Sequence, residues 1–353
     1  MTMDTRTVLV TGALGWLGRS LVEALVKGLP DIPALSEPQP DLRVRCLIMQ
    51  GQSATSLQKL SDRVEVVEGD LRSDRDCARF CQGVDGAILF HTAGIIHPRR
   101  VSEFHEVNVG GTRNLLDAAK AAGIRRIVVV SSNSPCGCNP HRDHLFDEES
   151  PFNPYMGYGR SKMAMERAVW ESTSGTQLEA VIIRPPWFYG PNQPERQTLF
   201  FRMIRDGKAP IVGRGDNLRS MAYIDNLSQG LLLSAMHPSA AGETFWIADE
   251  RPYSMNEIVD TVEHLLEGEF GQTCTHKRLR LPGVVSDVAQ VCDAALQKCG
   301  VYHQKIHVLS EMNKTIACSV AKAQRVLGYA PGISLEEGMR RSLQWTLETY
   351  GRI

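Results

Sequence analysis

The stretch VTGALGWLG, residues 10–18, spaces Gly12, Gly15 and Gly18 three apart, directly after the apolar run of residues 8–10. Behind it Leu17, Leu21 and Leu25 recur at helical spacing through residue 27. A strand, a glycine turn and a helix in that order form a phosphate cradle. Gly12 permits the tight turn. Gly15 lets backbone approach a pyrophosphate, which then lies on the free N–H groups of the helix start. Gly18 lets helix and strand pack closely. Backbone groups of Ala13, Trp16 and Leu17 lie on the same path, so the turn predicts a dinucleotide site.

The pattern that follows agrees. Strands are predicted at 43–49, 64–67, 86–91, 126–131 and 178–183. Helices are predicted at 74–81, 104–121 and 158–172, and the Pro-rich stretch 28–41 is a loop. Several strands are apolar throughout, as expected when both faces are covered. Alternation of this kind predicts an α/β fold, a doubly wound parallel sheet over residues 1–184. Residues 185–353 mix helices with short strands and read as a smaller substrate lobe, although ETFWIA at 243–248 can return to the main sheet. Ligands of such sheets bind at the carboxyl ends of the strands.

The chain has 353 residues, a net charge of −1, 42% apolar and 22% charged residues. That balance gives no long-range attraction for nucleic acid or an anionic membrane. No apolar run approaches the roughly 18 residues of a span. The first residues lack a signal core and nine scattered cysteines suit reduced thiols, so a cytoplasmic protein is expected. The HRDH segment, residues 141–144, and the Cys136–Cys138 pair find no further ligands at metal spacing, and no metal is expected.

Several strand ends carry candidate contacts. Asp70 can accept the adenine amino group while Leu71 packs on the ring, or it can cap the next helix. Thr92, Ala93 and Gly94 are small enough to let a cofactor pass. The second strand ends at Met49 and Gln50, with neither an acid for a ribose 2′-OH nor an Arg for a 2′-phosphate. Arg43 and Arg45 lie too early in that strand. NAD is therefore preferred, with NADP as the alternative.

Beyond the fifth strand come Ser131 and Ser132, and then YGRSK, residues 158–162. Tyr158 and Lys162 are four apart and share a helix face. A free phenol has a pKa near 10, and a neighbouring ammonium favours its phenolate. These motifs, with NVGGTRNLL, RPPWFYGP and GRGDNLRSMAYIDN, resemble the extended short-chain dehydrogenase/reductase superfamily. Its members include nucleotide-sugar epimerases, dehydratases and 3β-hydroxysteroid dehydrogenases.

The resemblance implies a hydride-transfer enzyme with Ser132, Tyr158 and Lys162 as the catalytic set. Tyr158 exchanges the substrate proton, Ser132 orients the same oxygen, and Lys162 holds the nicotinamide ribose. Ser132 is placed by counting back from Cys136-Gly137, where the family often has Tyr-Gly, so Ser131 and Ser134 stay open. Ser131, Asn108 and Pro185 fall beside the expected cofactor. Asn133 falls by the substrate, Trp187 and Phe188 either wall it or pack as core between lobes, and Arg219 matches a diphosphate-binding Arg or makes an interlobe salt bridge. Dehydratases carry an acidic pair after this serine; here Asn133 and Ser134 follow, which disfavours elimination. Val284, Val288 and Val291 either line an apolar substrate pocket or pack as one helix face. The expected substrate is a nucleotide sugar or a sterol-like alcohol. A homodimer through helices 104–121 and 158–172 is also implied.

Overall fold

The computed structural model describes residues 3–39 and 41–353. Seven strands form one all-parallel sheet: β1 (Thr7–Thr11), β2 (Arg43–Ile48), β3 (Val64–Glu68), β4 (Ile88–His91), β5 (Arg126–Val130), β6 (Glu179–Arg184) and β7 (Thr244–Trp246). Their order is β7-β6-β5-β4-β1-β2-β3. The chain thus winds outward from β1 to one edge, returns to β4, and winds to the other edge. The crevice between β1 and β4, where Thr11 lies opposite His91, is the switch point at which such sheets bind ligands.

Burial on both faces explains the apolar strands. Val8, Val10, Ile88, Phe90, Val128 and Val130 belong to one core cluster, with helix α1 (Trp16–Lys27) and the helix Ile224–Met236. Leu9, Leu89, Ile127 and Val129 point the other way. There they meet Leu115 and Leu116 of α2 (Thr112–Ala121) and Met165 and Val169 of α3 (Met156–Thr173). Alternate residues therefore serve opposite layers, which makes the middle of each strand apolar on both faces. β7 pairs with β6 in parallel register, Thr244 opposite Ile182. The later half of the chain thus adds a strand and a core helix to the main sheet.

Residues 185–353 also form three small two-stranded sheets, one of them pairing Trp187–Tyr189 with Met221–Tyr223. Two helices, α4 (Val284–Lys298) and α5 (Gln304–Glu311), make a hairpin against the start of α3. No helix among the described residues is long and apolar enough to cross a membrane.

Gly18 fixes the approach of α1 to β1. A Cβ there would sit 2.1 Å from the Gly12 carbonyl oxygen, which is backbone and has nowhere to go. Gly18→Ala should therefore lower unfolding stability by about 1–3 kcal/mol through overpacking. Urea unfolding of both proteins checks this; an unchanged midpoint would contradict the packing described.

Candidate active site

The glycine turn fits a pyrophosphate. Gly15 sits at the start of α1 with no side-chain cap and no acid in the first turn. The N–H groups of the opening turn, which a helix cannot satisfy itself, remain for an anion. Gly12 is at φ +70°, and a Cβ on it would lie 2.7 Å from the Ala93 backbone nitrogen. The turn is thereby held against the end of β4. Thr92 Oγ1 donates to the Thr11 carbonyl at 2.7 Å, and the Ala93 N–H reaches Thr11 Oγ1 at 3.3 Å. His91 is buried, with one ring nitrogen 2.7 Å from Thr11 Oγ1 and the other 2.9 Å from Thr112 Oγ1. Burial pushes its pKa down to about 3, so it is a neutral strut.

At the adenosine end, β2 stops at Ile48 and Met49 is exposed, its N–H held by the Gln52 side chain at 2.9 Å. Arg45 is spent on Glu65 and on the carbonyls of Phe80 and Gln82. Met49 and Gln50, which follow the strand end, offer no cation to a 2′-phosphate. The Asp70 carboxylate accepts from Arg72, which holds its pKa below the usual carboxylate range. Asp70 is not the helix cap; Ser73 takes that role by accepting from the Asp76 N–H.

Asn108 lies in a single wide turn, Glu106–Gly111, with i→i+5 geometry, a form common at functional sites. Its side chain accepts from the Ile95 N–H at 2.9 Å and donates to the Ile95 carbonyl and to Ser161 Oγ at 3.1 and 3.0 Å. It ties the loop after β4 to α3. Gly94 runs beneath Lys162: a Cβ there would stand 3.3 Å from Nζ.

The three serines after β5 separate clearly. Ser131 turns its hydroxyl onto buried Glu166 at 2.5 Å, and Glu166 pairs with Arg184 at 2.7 Å. Its side chain is thus committed to this buried ion pair, so only its backbone remains for the cofactor contact expected above. Ser132 faces the Tyr158 phenol and favours its ionised form. Ser134 supports it, its N–H reaching Ser132 Oγ at 3.3 Å. Asn133 also sits beside Ser132 Oγ, its Oδ1 accepting at 3.3 Å, and its N–H binds the Pro185 carbonyl at 3.2 Å.

The YGRSK helix is pressed onto this loop. Tyr155 N–H donates to the Ser134 carbonyl at 3.0 Å. A Cβ on Gly159 would lie 2.5 Å from that same carbonyl. Met156 takes a left-handed conformation, φ 51°, at the helix start. This strained turn aims Tyr158 at Ser132.

Electrostatics differ from the expected Tyr–Lys coupling. Lys162 Nζ donates to the Val130 carbonyl at 2.9 Å. Burial pushes the Tyr158 phenol up to about 12; Ser132 pulls down and nearby Glu311 pushes up. Burial also brings Lys162 down to about 8, with Glu166 opposing. Both groups are held toward neutrality, the environment of groups that trade protons.

Two substrate expectations change. In the strand Trp187–Tyr189, successive side chains face opposite ways. Phe188 packs on Trp16 of the glycine turn at 4.9 Å, whereas Trp187 turns to Phe200 inside the second lobe, 5.9 Å away. The aromatic beside the turn is therefore Phe188. Arg219 makes no salt bridge among the described residues; its guanidinium donates to the Glu311 backbone carbonyl, and burial lowers its pKa. Cys138, Tyr155 and Glu311 face it. Glu311 also bears on Tyr158, an acid that sequence reading missed because nothing in its α5 segment resembles a motif.

α4 reverses its expected face. It buries Ser286, Ala289, Asp293 and Gln297, while Val284, Val288 and Val291 point to solvent. They neither line a pocket nor pack as a core face.

A family model described as "Epimerase: NAD dependent epimerase/dehydratase family" matches residues 8–248. The chain is 54% identical over 349 residues to "Uncharacterized protein y4nL" of Sinorhizobium fredii (strain NBRC 101917 / NGR234), covering 99% of this chain and 97% of that one. It is 28% identical to an N-acetyl-alpha-D-glucosaminyl-diphospho-ditrans,octacis-undecaprenol 4-epimerase of Escherichia coli O157:H7, covering 78% and 82%. It is 26% identical to 3beta-hydroxysteroid-dehydrogenase/decarboxylase isoform 1 of Arabidopsis thaliana, covering 97% and 80%. Among solved structures, a dTDP-glucose 4,6-dehydratase from Streptomyces venezuelae with NAD and TYD bound aligns with TM-score 0.73 at 26% identity, covering 98% of each chain.

Lys162 makes a stability prediction. Its folded pKa of about 8 lies below the ordinary value of 10.5, so the unfolded chain binds more protons between those values. Stability contributed by this site therefore rises with pH across that window, and below it the buried charge is a full cost. Lys162→Met should melt higher than the natural protein at pH 7, with the difference shrinking toward pH 9.5. Thermal unfolding of both proteins at each pH measures it; a variant that melts lower at pH 7 would contradict the burial argument.

Proposed function

The chain belongs to the NAD dependent epimerase/dehydratase family, and from that premise we propose that it is a nucleotide-sugar epimerase acting on a secondary sugar alcohol. The observation that carries this reading is Ser132 set against the Tyr158 phenol at the end of β5, with Glu311 bearing both on that phenol and on Arg219, which makes no salt bridge among the described residues. Bound NAD supplies the acceptor for a hydride and returns it.

Tyr158 takes the hydroxyl proton as the carbon–hydrogen bond breaks and restores it when the alcohol re-forms. Its phenol is too basic for this while burial dominates its surroundings. A cationic ring placed against it favours the phenolate, as does the charged form of Lys162. Ser132 shares the substrate oxygen and fixes its direction. Arg219 suits the diphosphate of a sugar nucleotide, because a planar guanidinium pairs with two phosphate oxygens at once. The undecaprenol-linked 4-epimerase among its relatives supports a sugar carried on a diphosphate. Asn133 and Ser134 provide no acid–base pair for loss of water, which argues against dehydration.

A 3β-hydroxysteroid-type dehydrogenase is the second reading, favoured by the plant relative. It loses one support, since the valines thought to cover an apolar substrate lie on the outer face of α4. Assembly as a homodimer through the outer sides of α2 and α3 belongs to the proposal.

Tyr158→Phe should bind NAD as the natural protein does and lose at least about 1,000-fold in turnover. Isothermal titration with NAD, paired with an epimer assay on uridine, thymidine, guanosine and cytidine diphosphate sugars, reads both quantities. Turnover surviving in the Phe variant would overturn the role of Tyr158. Net NADH accumulating from an added sterol alcohol, with no epimer from any sugar nucleotide, would favour the dehydrogenase.

A further inference from the structure

The outer face of α4 has a composition that the reaction does not use. Val284, Val288 and Val291 are 61, 57 and 71% exposed, and Cys292 and Ala295 are exposed with them. At about 100° per residue these five side chains fall in one stripe roughly 100° wide. Val301 and Val308, on the following turn and α5, are also half exposed. The helix cannot simply roll over to bury them. Its inner face is fixed by Asp293, which accepts from Gln297 at 2.9 Å and pairs with His307 at 2.7 Å. Gln297 in turn holds the Gly157 N–H at 2.8 Å, and Ser286 donates to the Ser310 carbonyl at 2.7 Å. A locked helix that shows a continuous apolar stripe to water marks a contact surface.

The charge around the stripe identifies its partner. Residues 276–314 hold six Lys and Arg against three Asp and Glu, in a chain whose net charge is −1. Of these, Asp293 is buried beneath the helix, Asp287 and Lys314 pair with each other at 2.8 Å, and Arg278 pairs with Glu263 and with Asp260, the latter at 2.6 Å, which leaves four cations without an acidic partner in the segment. Lys298 and Lys305, on α4 and α5, are exposed beside it, and Lys277 and Arg280 are exposed in the segment that leads into α4. A narrow apolar stripe with a cationic rim matches the boundary of an anionic bilayer, where valines enter the acyl edge and lysines meet phosphates. A second copy fits poorly, because a two-fold contact would lay this cationic rim against itself.

We propose that the outer face of α4 docks on an anionic lipid bilayer. The inner side of the same hairpin closes the cleft: Tyr302 packs edge-on to Phe104 at 5.7 Å, and the Glu311 carbonyl accepts from Arg219. Docking thus holds the cleft mouth at headgroup level, where an amphiphilic substrate presents its polar end. The docking itself does not rest on the sugar-nucleotide reading, and its test reads binding alone.

The test is co-sedimentation of the full chain with phosphatidylcholine vesicles, with and without about 30% phosphatidylglycerol, at low salt. The natural protein should partition onto the anionic vesicles. The variant V284S/V288S/V291S should bind at least about 10-fold more weakly, and K298E/K305E should lose the preference for anionic lipid. Unchanged melting temperatures confirm that both variants fold, and sedimentation velocity should give one oligomeric state for all three. Three outcomes overturn the proposal: no vesicle binding by the natural protein, undiminished binding by the triple-Ser variant, or a smaller oligomer in that variant, which would assign the face to a second copy.

Discussion

Burial of Tyr158 and Lys162 together at the end of β5 is the constraint on which the site depends. Water is removed from a phenol and an ammonium four residues apart, and each is driven toward its neutral form. That costs stability, so the surroundings must hold the pair in place. The Ser134 carbonyl does so by touching Gly159, where no side chain intervenes. Asn108 does so by tying Ser161 to the loop after β4. The buried Glu166–Arg184 pair does so from below, and it also removes Ser131 from the reaction. Breaking a buried pair of this kind leaves an uncompensated charge.

The sheet positions these parts without taking part in the chemistry. Glycines at the end of β1, small residues at the end of β4 and serines at the end of β5 meet because the strands are parallel and in register. Residues beyond 185 border the same site. Phe188 and Trp16 stack where the strand after β6 crosses the glycine turn, and the α4–α5 hairpin brings Glu311 toward both Tyr158 and Arg219.

The main sheet was legible in the sequence because strands buried on two faces become unbroken apolar runs. The glycine turn was legible because its spacing answers a steric demand: a Cβ at Gly18 would stand 2.1 Å from the Gly12 carbonyl oxygen. The substrate side was harder, for three physical reasons. The strand parity that puts Phe188 rather than Trp187 toward the cofactor turn depends on where a three-residue strand begins. The buried face of α4 is polar, satisfied by a hydrogen-bond network from α3 and α5, so the rule that apolar faces turn inward fails there. The Lys162 hydrogen bond to the Val130 carbonyl depends on a strand end that lies over thirty residues away in sequence.

The account stands most directly on one labelling measurement. The enzyme is incubated with sugar nucleotides carrying deuterium on the carbon that bears the reacting hydroxyl. Reversible oxidation inside a closed cleft predicts an epimer that keeps its deuterium on that carbon, with no net reduced NAD. Loss of the label to solvent water during epimerisation would contradict it, because the proton and the hydride would then not follow the separate routes that Tyr158 and the cofactor turn provide.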